Sequence, residues 1–267
     1  MQKNKIAFIS NTLADVFYHL GSVSDVQLLA GCTQIDKIAD KSVSLRTIPE
    51  LNAIEKRELY VQFGSAVSLS RLIALGDQKL HKVLLEAAKT IATPQVRNIA
   101  TLGGNICAKG TRGTLWAPLL ALNAKLEIKT PNETLYLPFS KFEGIKEKQV
   151  LVNVRVPLEE WEIEIFHRLG PSKMISDYSA SFVFLAKTQR GMISAIKIVF
   201  AGHVLFFSPE FENRIVGTKL PLSEKTLLSL INDAKKLFSV QNRATDYEVI
   251  LRAQFLNLLR NSFEQLM

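Results

Sequence analysis

Two glycine-containing turns are the features of this sequence best suited to binding a ligand. Gly31 follows an apolar run, and Gly103 and Gly104 stand together in a stretch poor in regular structure. Glycine allows close approach of the backbone because no side chain intervenes. A strand that enters such a turn before a short helix presents unpaired backbone N–H groups, which suit a phosphate or diphosphate. An ordinary tight turn is the alternative for each.

The elements around the first turn are predicted from hydrophobic spacing and capping residues. Ser10 or Asn11 can cap a first helix, and Gly21 ends it. A short buried strand is expected over 26–30, followed by the turn. A short helix is expected next, because an apolar pattern resumes at Ile35.

Helices and a strand are predicted before the second turn. Alternating apolar residues indicate a strand over 57–64, and Ser68 can cap the helix that follows. A longer helix is expected from about 78 to 92, and Pro94 closes this helical region. The stretch over 95–107, centred on the paired glycines, is predicted as a loop.

The later part of the chain changes from strands to helices. Strands over 125–129 and 134–137 are joined by a hairpin turn, and a further strand over 150–156 ends at Pro157. A new unit is expected to begin near Ile163. Its predicted elements are strands over 163–168, 179–188 and 193–201 and helices over 224–237 and 246–266. Clustered strands followed by helices indicate α+β architecture.

Composition narrows the classes of protein to consider. The 267 residues include 33 Lys and Arg against 25 Asp and Glu, and the net charge of +8 favours anionic cofactors or acidic partners. No apolar run is long enough to span a membrane, and no signal peptide is apparent, so a cytoplasmic location is the default expectation. Two cysteines are too few for a cluster held by four thiolates.

Other familiar chemistry has little support in the sequence. The four histidines, His19, His81, His167 and His203, are scattered, and neither a zinc motif nor a nucleophile elbow occurs. The phosphate loop of nucleotide hydrolases and the glycine fingerprint of doubly wound dinucleotide-binding sheets are also missing. Basic residues are interspersed with acids and lack an aromatic ladder, so nucleic acid is not an expected partner.

The flanks of the two turns resemble a known family. Residues 28–35 run Leu-Leu-Ala-Gly-Cys-Thr-Gln-Ile, and residues 95–107 run Gln-Val-Arg-Asn-Ile-Ala-Thr-Leu-Gly-Gly-Asn-Ile-Cys. They resemble the two flavin-binding signatures of the FAD subunit of molybdenum hydroxylases, the family that contains xanthine dehydrogenase and carbon monoxide dehydrogenase. The second signature is the more specific, and the resemblance extends over essentially the whole chain.

The resemblance implies an α+β fold and a cofactor site. A two-lobed FAD-binding domain of the vanillyl-alcohol-oxidase type is expected over 1–162, with lobes of about 1–52 and 53–162. A C-terminal α+β domain of a small antiparallel sheet and helices is expected over 163–267. FAD would lie extended between the lobes, with its pyrophosphate against both turns. The FAD-binding residues implied in this way are Leu28, Leu29, Ala30, Gly31, Cys32, Thr33, Gln34, Ile35, Thr101, Leu102, Gly103, Gly104, Asn105, Thr114, Leu151 and Arg168.

Three departures from the family pattern bear on that site. Cys32 stands where many relatives have a second glycine. Thr114 stands where the family usually carries an acidic residue near the flavin, and Arg168 replaces its usual Lys. Loss of the acid makes the local potential more positive, assisted by Arg112 and Lys109. Either this favours the reduced, anionic flavin, or the loop was rebuilt because FAD binding is weakened or lost.

The resemblance also implies a function and partners. Electrons would pass from iron–sulfur clusters to FAD and then to NAD or another acceptor. A molybdenum-cofactor subunit and an iron–sulfur subunit would be separate chains, and no metal site is expected on this one. A flavin-free structural or assembly subunit that keeps the fold is the main alternative. A free-standing flavin oxidase or reductase is a third.

Overall fold

The computed structural model describes residues 5–171 and 174–267, which form two compact units. The first unit contains the chain up to Lys79 together with 92–108 and 122–158. The second contains 80–91, 109–121 and the chain from Glu159 onward. Two short segments from the first half of the sequence therefore belong to the second unit, while the division at residues 162 and 163 stays a prediction.

A small parallel sheet begins the first unit. It consists of β1 (Ile6–Ile9), β2 (Val26–Leu29) and β3 (Lys41–Ser44), in the order β1-β3-β2. Helix α1 (Leu13–Ser22) connects its first two strands. Val43 is buried together with Val16 of the helix. This core fixes the strand that leads into the first turn.

The ends of the predicted elements in this region need correction. The N-cap of α1 is Thr12 rather than Ser10 or Asn11: its hydroxyl accepts from Asp15 N–H, and the Asp15 carboxylate accepts from the backbone of Thr12. This capping box decides the start of the helix. The helix continues through Ser22, past the predicted stop at Gly21. The short helix expected after Gly31 is absent, because residues 33–37 form turns and bends.

A five-stranded antiparallel sheet completes the first unit. Its strands are β4 (Ile54–Lys56), β5 (Tyr60–Gly64), β6 (Lys125–Lys129), β7 (Thr134–Pro138) and β8 (Val150–Pro157). Their order is β4-β5-β8-β6-β7. The predicted hairpin of β6 and β7 is confirmed. The strand predicted over 57–64 is confirmed as β5, which begins at Tyr60; residues 57–59 form the connection from β4.

Five short helices lie between β5 and β6. They are α2 (Leu69–Ile73), α3 (Lys82–Thr90), α4 (Pro94–Arg97), α5 (Leu102–Cys107) and α6 (Trp116–Ala121). Ser68 caps α2 as predicted. Pro94 begins a helix rather than closing one, which its fixed φ permits in a first turn. The loop predicted over 95–107 is largely helical, and both central glycines belong to α5.

The second unit is built on a four-stranded antiparallel sheet. It consists of β9 (Ile163–Leu169), β10 (Ala180–Gln189), β11 (Met192–Gly202) and β12 (Leu205–Phe207), in the order β12-β11-β10-β9. The three longer strands match the sequence prediction. The short β12 did not appear in it, because three residues carry too little periodicity.

Three helices cover this second sheet. They are α7 (Pro209–Ile215), α8 (Glu224–Gln241) and α9 (Asp246–Glu264), of which only α7 was not predicted. Phe200 and Phe206 from the strands meet Phe238 and Phe255 from the helices in a buried aromatic cluster. The α+β fold class is thus confirmed. Among the described residues, no helix is long and apolar enough to cross a membrane.

Candidate functional site

The two predicted turns meet within the first unit. A Cβ atom added to Gly31 would lie 2.1 Å from the carbonyl oxygen of Ile99 and 3.0 Å from Cα of Ala100. Ala100 in turn precedes Thr101, the N-cap of α5. Backbone therefore packs directly on backbone, and this close approach requires glycine at position 31.

Cys32 adopts a conformation that glycine usually supplies. Its φ is 55°, in the left-handed region that costs most side chains free energy. This is the position at which the family pattern often has a second glycine. The turn therefore keeps its left-handed residue, although a cysteine now provides it. Thr33 and Gln34, which follow, are exposed.

The backbone donors of the first turn have no acceptor in the part of the chain that the structure describes. No hydrogen bond within residues 5–171 and 174–267 uses the N–H groups of Gly31, Cys32, Thr33 or Gln34. Cys32, Thr33 and Gln34 are exposed and Gly31 is half-buried, so a ligand can reach this segment. Successive unpaired N–H groups in a turn of this kind are suited to an anion.

The donors of the second turn are used by the protein itself, which corrects the expectation of free N–H groups there. The bonds run from Leu102 N to Val67 O at 2.9 Å, from Gly103 N to Ser65 O at 2.7 Å and from Gly104 N to the Thr101 hydroxyl at 3.0 Å. The first turn of α5 is therefore satisfied by its cap and by the segment after β5.

The paired glycines differ in what surrounds them. Gly103 is buried, and an added Cβ would lie 2.8 Å from both Cβ and the carbonyl oxygen of Ser65. Gly104 is exposed, and its added Cβ would meet only the Thr101 hydroxyl, at 3.0 Å. Gly103 is thus explained by packing, whereas Gly104 leaves open space at the surface beside the first turn of α5.

Other predicted residues of the first unit form the surroundings of the turns. Leu28 and Leu29 are half-buried in β2, where they pair with Val43 and Ser44. The half-buried Ala30 accepts a weak contact from the Cys32 thiol at 3.9 Å. Three more predicted residues remain: Ile35 is half-buried, Asn105 is buried in α5, and Leu151 is buried in β8.

Thr114 and Arg168 belong to the second unit. Thr114 is buried, and its hydroxyl makes no hydrogen bond within the described part of the chain. Arg168, in β9, donates to the carbonyl oxygens of Pro171 and Met174. Burial lowers the pKa of its guanidinium, and its Nε has no hydrogen-bond partner among the described residues.

The two cysteines have different environments. Cys32 is exposed at the first turn. Burial raises the pKa of the Cys107 thiol, at the end of α5, to about 12. No group of three or more His, Cys, Asp or Glu side chains that could hold a metal ion occurs in residues 5–171 and 174–267.

A polar cluster in the second unit was missed at the sequence level. His203 Nδ1 lies 3.0 Å from the Asp177 carboxylate, and its ring packs on Tyr247 with 4.3 Å between centroids. Arg112 donates to the carbonyl oxygen of Gly202 at 3.1 Å. These residues are far apart in sequence, so no local pattern predicts that they meet.

Solved structures share this fold. Carbon monoxide dehydrogenase from Hydrogenophaga pseudoflava superposes with a TM-score of 0.84 at 21% identity, covering 97% of this chain and 95% of that chain. Quinoline 2-oxidoreductase from Pseudomonas putida 86 gives a TM-score of 0.78 at 19% identity, and the match covers 98% of this chain and 95% of that chain. The fold is therefore that of an α+β chain found in these oxidoreductases.

Sequence comparison identifies the family. The chain belongs to the FAD-binding domain family of molybdopterin dehydrogenases, whose model matches residues 4–159. It is 33% identical over 161 residues to a xanthine dehydrogenase FAD-binding subunit from Escherichia coli, and the match covers 55% of each. The chain thus spans about half the length of the curated relatives it matches first. The predicted family and its cofactor, FAD, are confirmed.

Proposed function

We propose that this chain is the flavin subunit of a multi-subunit molybdenum hydroxylase and transfers electrons from partner iron–sulfur clusters to NAD or another acceptor. The observation that carries the proposal is the segment 31–34, whose backbone N–H groups are accessible and have no acceptor among the described residues. These donors lie next to Ile99 and Ala100, at the start of the second flavin signature. The family binds FAD, whose diphosphate is the kind of anion that such donors bind.

The first unit fits the diphosphate of FAD by its own chemistry. Unpaired donors at 31–34 would hold the negative oxygens, and the exposed Gly104 leaves space beside them. Thr101 accepts from Gly104 N–H, so its hydroxyl hydrogen is still available to donate. We assign the diphosphate mainly to the first turn, because the N–H groups of residues 102–104 already have acceptors.

The chemistry of electron transfer belongs to the cofactor. FAD supplies an isoalloxazine ring that accepts and releases two electrons, while the protein sets its position and electrostatic surroundings. Leu151 would contribute an apolar surface and exclude water from the ring. With only Cys32 and Cys107, this chain does not provide the four thiolates of a typical cluster. We therefore place the clusters and the molybdenum on separate chains.

Thr114 offers a way to tune the redox potential. An uncharged hydroxyl at this family position removes a negative charge from the neighbourhood that the resemblance assigns to the flavin, which favours the reduced, anionic form. Thr114→Asp should lower the flavin potential in a redox titration of the reconstituted chain. Thr114→Val is the neutral control and should change the potential less.

Flavin titration and thiol protection test the proposal together. The full chain should take up FAD and develop flavin absorption in the visible range. Alkylation of Cys32 by N-ethylmaleimide should slow when FAD is bound, because Cys32 lies in the donor segment. Cys107, with a pKa of about 12, should react poorly with or without FAD and serves as the internal control.

A matched pair of glycine variants locates the cofactor. Gly104 and Gly21 are both exposed helical glycines; an added Cβ would meet only the Thr101 hydroxyl, at 3.0 Å, at Gly104 and nothing within 4 Å at Gly21. Gly104→Val should weaken FAD binding, and Gly21→Val should not. Equal affinities in the two variants would place the diphosphate elsewhere.

The flavin-free structural subunit is a second candidate, favoured by the altered loop over 108–114. Thr114 replaces an acidic family residue there, and Arg112 is bonded to Gly202 within the second unit. This candidate predicts a chain that remains colourless after incubation with FAD, yet still co-purifies with hydroxylase partners. Uptake of one FAD per chain excludes it.

A further inference from the structure

A cavity of about 650 Å³ lies within the second unit, and none of the residues that line it belongs to the set predicted to bind flavin. Its wall includes Arg112 from the loop before α6 and His203 from the turn between β11 and β12. Arg243, from the segment before α9, and Tyr247, from the start of α9, also line it. This volume falls in the range of sites for small molecules. The cavity is therefore large enough to be a small-molecule site.

Arg112 is a cation without a counter-ion. The side chain is half-buried, and burial lowers the pKa of its guanidinium. It donates one side-chain hydrogen bond, to Gly202 O at 3.1 Å, and lies over the Trp116 ring at 5.5 Å from its centroid, but it pairs with no carboxylate in residues 5–171 and 174–267. A guanidinium has five N–H donors, so most remain available. A partly desolvated and unpaired charge of this kind is stabilised by an anion.

Arg243 adds a second available cation. It is exposed and has no hydrogen-bond or ion-pair partner in the described part of the chain. Its neighbours Gln241 and Asn242 are already used, because their amides bond to the backbone of Phe207 and Leu205 at the edge of β12. The amides thus fix the wall from which Arg243 extends.

The remaining wall combines a polar group with apolar surface. The Asp177 carboxylate lies 3.0 Å from His203 Nδ1, within hydrogen-bond distance, and Tyr247 packs against the same imidazole. Among the described residues, Asp177 is the one acidic side chain that pairs with this imidazole. Val204, Leu205 and Phe207 supply apolar surface. An anionic group and a ring can therefore be accommodated in one cavity.

We propose that this cavity binds a nucleoside monophosphate, with the phosphate on Arg112 and Arg243 and the base against Tyr247 and the apolar wall. Guanidinium groups bind phosphate through paired, charge-assisted hydrogen bonds. A ring on the same ligand explains why the cavity is part cationic and part apolar. None of the wall residues belongs to the predicted FAD-binding set, but Arg112 lies two residues before Thr114, so the test includes competition with FAD.

Calorimetric titration of the full chain with AMP tests this proposal. AMP should bind more tightly than either adenosine or inorganic phosphate alone. Arg243→Gln should weaken AMP binding by about tenfold or more, as expected for loss of a charge-assisted hydrogen bond. Arg260→Gln, an exposed residue of α9 outside the cavity, removes the same charge and should leave the affinity within about twofold. Arg112→Gln should act like Arg243→Gln.

Several results would overturn the inference. Equal affinities in Arg243→Gln and Arg260→Gln would indicate only attraction to a basic protein, and adenosine binding as tightly as AMP would remove the role of the arginines. Displacement of AMP by FAD would assign the cavity to the flavin site. Flavin uptake is recorded separately by absorption, so failure to bind FAD is distinguishable from failure to bind AMP.

Discussion

The two glycine turns of the first unit look alike in sequence but differ in how their backbones are used. At residues 31–34 the N–H groups have no acceptor in the described chain, whereas those of residues 102–104 bond to Val67, Ser65 and Thr101. Gly31 and Gly103 are both needed for packing, since an added Cβ would collide with Ile99 or Ser65. A glycine signature therefore combines positions that hold the fold with positions that leave room for a ligand.

Gly31→Val should have the largest effect. Its Cβ would lie 2.1 Å from a backbone carbonyl oxygen, so the two turns would have to separate. The free energy of unfolding should fall by about 3 kcal/mol or more, as in severe overpacking, measured by urea denaturation. Gly21→Val has open space and is the control. A stable Gly31→Val protein would show that the turns do not depend on this contact.

Gly103→Ala should destabilise the protein by about 1–3 kcal/mol, because the new Cβ would lie 2.8 Å from Ser65. Gly104→Ala should change stability by less than about 0.5 kcal/mol, because its position is exposed and the added Cβ would meet only the Thr101 hydroxyl, at 3.0 Å. Thermal unfolding of both variants measures the difference. Equal losses would contradict the division of the pair into a packing glycine and a surface glycine.

Thr101→Ala tests the internal satisfaction of the second turn. Removing the hydroxyl leaves Gly104 N–H without its cap, and stability should fall by about 1 kcal/mol. Thr33→Ala, at the first turn, removes a hydroxyl that makes no bond in the described structure and should have almost no effect on stability. A comparable loss for Thr33→Ala would mean that the first turn is also internally bonded.

Cys32→Gly should change stability in the opposite direction. Glycine adopts the φ of 55° without strain, whereas alanine at this position would be strained as cysteine is. The glycine variant should be more stable than Cys32→Ala by about 1 kcal/mol in denaturant titrations. Because both variants lack the thiol, the comparison isolates the backbone. Identical stabilities would indicate that the turn relaxes around position 32.

Local patterns predicted most of the regular elements. The alternation of β6 and β7 around a polar turn, the cap at Ser68 and the strand-to-helix order of the second unit follow from nearby residues and are confirmed. Errors lie where a competing local signal existed. Thr12 replaced Ser10 and Asn11 as cap because Asp15 completes a capping box with it, and Pro94 began a helix because proline suits a first turn as well as an end.

The sequence by itself determined which residues could approach a diphosphate: two glycine turns with the flanks of a flavin signature. Only the tertiary structure decided which N–H groups remain for a ligand, since the acceptors at Ser65 and Val67 lie far along the chain from Gly103. The same holds for His203 and Asp177, which strand pairing and loop packing bring to 3.0 Å. Hydrogen bonds between segments depend on how those segments pack, and local periodicity does not predict that packing.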